Sequence, residues 1–141
     1  MPTYTATGAA ATVQPRSGLH TDSVAEVYAI TTAFVLNDVV RMIKVCKGMT
    51  ILDVKCACDD MDSSTGFVFV VGDGDDEDRF ILISTVGQTG GVALLTNRVG
   101  LGYTYTQDDT IDFKVTTAAS GTPAPTGNIV LTVIYTMQPT F

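Results

Sequence analysis

Tryptophan is absent, histidine occurs once, cysteine three times, and only 16% of the residues are charged. Each shortage removes a class of function. Without tryptophan, a sugar-binding surface loses its best stacking partner. A structural zinc site wants four Cys or His ligands at paired spacings. Here Cys56 and Cys58 are spaced C-x-C, Cys46 stands apart, and His20 is the lone imidazole. The cysteines therefore read as small buried apolar thiols. An odd number of them is not a disulfide framework. No G-x-S-x-G, phosphate-binding loop or H-E-x-x-H occurs, and no cofactor is expected. No apolar run approaches the ~18 residues that a membrane helix needs. The start, MPTYTATGAAATVQPRSGLH, lacks a basic head followed by an apolar stretch, so the chain reads as synthesised and kept in a cytoplasm. A net charge of −7 makes nucleic acid or an anionic membrane a poor partner.

What is present points to strands. The chain of 141 residues is the length of one domain, 45% apolar, with 13 glycines and 5 prolines. Residues 1 to 22 are rich in Thr, Ala, Gly and Pro without a sustained period. They read as an extended N-terminal arm, disordered or laid on a neighbour. Residues 23 to 141 read as the folded domain. In SVAEVYAITTAFVL, one face would carry Val24, Tyr28, Ile30, Phe34 and Leu36. The stretch NDVVRMIKVCKG fits helical spacing in part, but its Val and Ile content favours a strand. In MTILDVKCACDD, Leu52, Val54, Cys56 and Cys58 alternate with Asp53 and Lys55. In TIDFKVTTA, Ile111, Phe113 and Val115 point in while Asp112 and Lys114 point out. In the last strand, Ile129, Leu131, Val133, Tyr135 and Met137 share a face. Seven or eight strands at turn spacings of about ten residues predict an all-β fold: an antiparallel β-sandwich, jelly-roll or Greek-key.

One stretch raises a sharper question. In FVFVVGDGDDEDRFILIS, residues 67 to 84, two runs that are apolar on both faces, as in strands covered on two sides, flank a loop of five acids. A calcium loop of the EF-hand type needs glycine at its sixth position and glutamate at its twelfth. Counting from Asp73, those positions hold Asp78 and Ser84. A looser divalent-cation site would use Asp73, Asp75 and Asp78. Paired catalytic carboxylates must be tuned apart across a cleft. Here that would require Asp60 or Asp62, from a second acidic loop, to meet Asp76. The plainest reading is the solvated tip of a hairpin whose charges keep two adhesive strands from pairing wrongly, with Asp78 and Arg79 as a local ion pair. On this reading the chain is not an enzyme.

Residues 36 to 81 also carry a wider pattern. A DVVR-type strand precedes K-V-x-K-G-x-x-I-L-D, here KVCKGMTILD. An acidic D-x-D-S turn follows, here DMDS, and then a V-G-D-x-D-x-D-R-F turn, here VGDGDDEDRF with one residue more before D-R-F. This order resembles the small decoration, or cement, proteins of tailed bacteriophage heads. The resemblance spans about a third of the chain and contains no catalytic residues. It implies a β-sandwich on the capsid surface of a virion, often a homotrimer, bridging neighbouring subunits of the major capsid protein. The arm would then be a tether, with Tyr4, Val13 and Leu19 as its apolar anchors. The alternative is a carbohydrate- or calcium-binding β-sandwich module of a phage tail or fibre.

Overall fold

The computed structural model describes residues 2–6 and 21–137. Nine strands occur among them: β1 (Thr3–Thr5), β2 (Thr21–Ile30), β3 (Val39–Val45), β4 (Met49–Cys58), β5 (Val68–Gly72), β6 (Ile81–Ser84), β7 (Gly91–Leu94), β8 (Asp109–Thr117) and β9 (Gly127–Met137). They form two sheets. Sheet A runs β1-β3-β8-β5-β6 and sheet B runs β2-β9-β4-β7. Every pairing is antiparallel except β1 with β3. The expected all-β antiparallel sandwich is what forms.

The winding follows one rule. β5 pairs with β6, β4 with β7, β3 with β8 and β2 with β9. The chain is thus one long antiparallel ribbon doubled at the acidic loop. It is rolled so that β9 also meets β4 and β8 also meets β5. Rolling places the connections 46–48, 73–80 and 95–108 at one end of the sandwich, and 31–38, 59–67, 85–90 and 118–126 at the other.

Alternation builds the core. Ile129, Leu131, Val133 and Tyr135 of β9 and Ile111, Phe113 and Val115 of β8 are all buried. Phe113 is the hub: its ring lies 4.5 Å from Phe69, 5.9 Å from Phe34 and 6.5 Å from Phe67. The segment at 39–45 is a strand, since its β-branched residues suit a pleated, two-sided surface better than a helix. Three local readings change. Leu52 does not join Val54 and Cys56 inside, because a bulge at Ile51/Asp53 shifts the register and puts Ile51 in the core. β2 stops at Ile30; Phe34 is buried from the following loop while Leu36 is exposed. β6 is an edge strand with Leu82 and Ile83 exposed, so this apolar run is not covered on two sides within one chain.

Candidate functional site

The 73–80 loop is a hairpin connection, as its sequence implies, but it is not wet throughout. β5 ends at Gly72, where a Cβ would sit 2.1 Å from the Asp76 carbonyl oxygen, so only glycine lets the chain turn there. Asp73 follows and is 5% exposed. Its Oδ1 accepts the N–H groups of Asp75 and Asp76, at 3.1 and 3.0 Å. Arg79 donates to both carboxylate oxygens, through Nε at 2.6 Å and a terminal nitrogen at 3.3 Å. The Tyr105 hydroxyl donates to Oδ2 at 3.0 Å. The Arg79 guanidinium lies 3.8 Å from the centroid of the Tyr103 ring, which meets Tyr105 edge-on. Burial, and then the adjacent Asp73 charge, push the Tyr105 hydroxyl well above its ordinary pKa. Arg79 therefore pairs with Asp73, six residues back, and not with its neighbour Asp78.

This arrangement uses Asp73 internally. Asp75 is exposed, and Asp78 is half-buried beside Asp76, whose hydrogen bond raises the Asp78 pKa. Among the described residues, no three His, Cys, Asp or Glu side chains converge on a point that could hold a metal ion. The loop is moored by three further contacts. The Gly74 N–H donates to Asp109, the Asn97 amide donates to the Asp78 carbonyl, and Lys114 bonds Glu77. Nearby, Asp112 is pushed up to about 6, chiefly by burial, with Asp109 and Asp73 adding to the effect.

The second acidic loop sits at the far end of β5. Asp62 is 3% exposed and accepts five backbone N–H groups: Ser64, Gly66 and Phe67 from its own loop, Ser120 and Gly121 from the β8–β9 connection. Burial works to raise its pKa, but these donors outweigh it and hold the carboxyl well below the usual range. Asp60 accepts the Asp62 N–H, and Asp59 accepts the Asn128 N–H. All three tie backbone together, and neither Asp60 nor Asp62 shares a cleft with Asp76. Cys56 and Cys58 are buried, and burial raises both thiols, Cys58 to about 11. Such thiols are poor nucleophiles and poor metal ligands.

Of the anchors expected in the arm, Tyr4 packs against its own sandwich. Its ring is 6.0 Å from Tyr28 and 5.9 Å from Phe34, and β1 pairs in parallel with β3. Val13 and Leu19 lie outside the described residues. The expected boundary at 22/23 falls just inside β2, which begins at Thr21.

What the sequence did not disclose is a contrast between the two outer faces. On sheet A, Arg41 stands opposite Asp112, Val39 opposite Lys114, and Lys44 opposite Thr110. Lys114 in turn holds Glu77. The β3–β8 part of that face is charged, as an exposed sheet face ordinarily is, while Val68, Val70 and Leu82 continue it on β5 and β6. On sheet B, one outward row runs Val27, Val130, Ala57, Val92, and the next runs Ala25, Thr132, Lys55, Leu94. Ser23, Ile134 and Asp53 form a third. Only Lys55 and Asp53 carry charge in these rows, and they approach each other at 4.0 Å.

No protein-family model matches the chain, and no curated protein matches it. Solved structures do. A chain of the capsid of Ralstonia phage GP4 superposes with a TM-score of 0.78 at 19% identity, over 99% of this chain and all of that one. A chain of the cyanophage Pam1 capsid asymmetric unit gives 0.76 at 25% identity, over 91% of this chain and 94% of that one. A chain of the acid-stable capsid of Helicobacter pylori bacteriophage KHP30 gives 0.55 at 16% identity, over 84% and 94%. The structural neighbours are phage capsid proteins, in agreement with the resemblance read from residues 36 to 81.

Proposed function

We propose that the chain is a virion structural protein that decorates a phage capsid and stabilises it by bridging neighbouring major capsid subunits. The observation that carries this reading is the likeness to a chain of the cyanophage Pam1 capsid asymmetric unit, which spans nearly the whole length of both. The strand order supports it further: a doubled ribbon rolled into orders 2-9-4-7 and 3-8-5-6 is consistent with the jelly-roll form of the sandwich. The internal use of Asp73 and Asp62 leaves both acidic loops as scaffolding and turns attention to the surface.

On this reading the mechanism is additive. Each copy makes a modest contact, and self-association, as a homotrimer, lets several such contacts act through effective concentration. Residues 7 to 20, with Val13 and Leu19, serve as the tether. Tyr4 fixes the root of the tether to the sandwich. The test is co-sedimentation of purified chain with heads of its own phage that lack it. Saturable binding and heads that survive higher temperature are expected. Heads that neither bind the chain nor gain stability would refute the reading.

A further inference from the structure

We infer that the outer face of sheet B is the surface through which one copy of this chain packs against a second copy. The inference rests on the self-association in the reading above and assigns it a surface.

Three observations carry it. The first is composition. An exposed sheet face in a sandwich ordinarily alternates toward polar and charged residues. Here the outward positions of β2, β9, β4 and β7 hold Val27, Val130, Val92, Leu94 and Ile134 among Ala, Ser and Thr, with one Lys55–Asp53 pair. Val27 is 52% exposed and Val92 56%. The patch continues onto β6, where Ile83 lies beside Val92 and Leu94 and is 72% exposed.

The second is the condition of the two edges of sheet B. Strand edges are normally guarded by charge, proline or a bulge. β2 is guarded: Asp22 and Glu26 occupy its inward-alternating positions. β7, with the sequence GVAL, and β6 beside it, with ILIS, carry no charge; each is four residues long, and the Thr96 hydroxyl accepts the Leu82 N–H on the free side of β6. These edges are blunted by shortness and by a loop and not by charge, so their apolar side chains stay available to a neutral partner.

The third is what can cover it. The chain carries a net charge of −7, so two copies repel over most orientations. In the three outward rows of sheet B, Asp53 and Lys55 cancel locally. Another copy therefore meets no repulsion there, whereas a strongly charged partner finds nothing to pair with. Strands about 4.8 Å apart and rising about 3.3 Å per residue give this face a footprint of about 500 Å² before side-chain relief. That is the scale of the ~800 Å² per partner buried in a stable complex.

The test compares three full-length proteins by size-exclusion chromatography with light scattering, each with its thermal melt. They are the wild type, Val27→Glu combined with Val92→Glu, and Lys44→Glu on the outer face of sheet A. Both variants change net charge by the same amount, so only the place of the charge differs. The wild type and Lys44→Glu should run at a multiple of 14.9 kDa. The double variant should run as a monomer that still unfolds cooperatively, its melt matching that of the wild type diluted below association. If it does not fold, Ala25→Glu with Leu94→Glu on the adjacent row decides instead. A monomeric wild type overturns the inference, as does a well-folded sheet B variant that keeps the wild-type mass. Head binding separates this from the proposed function. A monomeric wild type that binds heads, with the sheet B variant unable to, gives the face to the capsid and leaves only the proposed function standing. A self-associating chain whose sheet B variant is monomeric, and which binds no heads, leaves only the inference standing.

Discussion

Asp73 and Asp62 are both buried in acid-rich loops, at opposite ends of β5, and they solve the same problem differently. Asp73 is held by a guanidinium, a phenol hydroxyl and two backbone N–H groups. Asp62 is held by backbone N–H groups alone. The first arrangement depends on which side chains surround it, Arg79 and Tyr105 above all. The second depends only on the path of the chain through 62–67 and 120–121. A buried carboxylate is thus a fastener at either end, but the first can be dismantled by changing a partner side chain, while the second has no partner side chain to remove and yields to loss of the aspartate or to a change in the chain path, as at Gly66 or Gly121.

Asp62→Ala leaves five N–H groups without their acceptor and detaches two loops at once. It should give the largest fall in melting temperature of any single truncation at either end, and hydrogen exchange should quicken at Ser64, Phe67 and Gly121 together. Asp73→Asn strands the Arg79 charge in a nearly closed site. Breaking a buried pair on one side costs about 3 kcal/mol, and chemical denaturation should show a loss of that size. Adding Arg79→Gln to Asp73→Asn should recover part of it, with a coupling of about 1–2 kcal/mol between the two positions. At Asp62 no second side chain exists to give such a rescue. Tyr105→Phe removes one hydrogen bond to Asp73 and should cost about 1 kcal/mol.

Acid sharpens the contrast. The Asp62 pKa is depressed in the fold, so the stability it contributes is present above about pH 4, the unfolded carboxylate value, and is lost as the pH falls further. Asp112 behaves oppositely. Its folded pKa of about 6 means that its contribution is complete below about pH 4 and is gone once the pH passes 6. Stability measured from pH 4 to 7 should therefore fall by about 2 kcal/mol on account of Asp112. Asp112→Asn should flatten that slope.

Much of the sandwich was legible because alternation is legible. β8 and β9 keep strict period two, and their inward residues are those the sequence names. The bulge at Leu52 was not legible, since one inserted residue moves a side chain to the other face without altering composition. The acidic loop was read correctly as a hairpin tip and incorrectly as uniformly solvated. Composition does not distinguish Asp73 from Asp75: the difference is made by the fold, which brings Arg79 and, from 32 residues away, Tyr105 to Asp73. The neutral face of sheet B was hidden for the same reason. Val27, Val130 and Val92 are unremarkable one at a time, and become a row only when three pairings bring them into line.

The doubled ribbon has a consequence for how the molecule comes into being. At the bend, Val71 and Ile81 meet across about 10 residues, whereas Thr21 and Thr136 meet across about 115. Closing the wider loop costs about 2 kcal/mol more in chain entropy if it forms first. Zippering from the bend outward lets each completed rung shorten the search for the next, so the strands nearest the two chain ends are the last to settle and the first to let go.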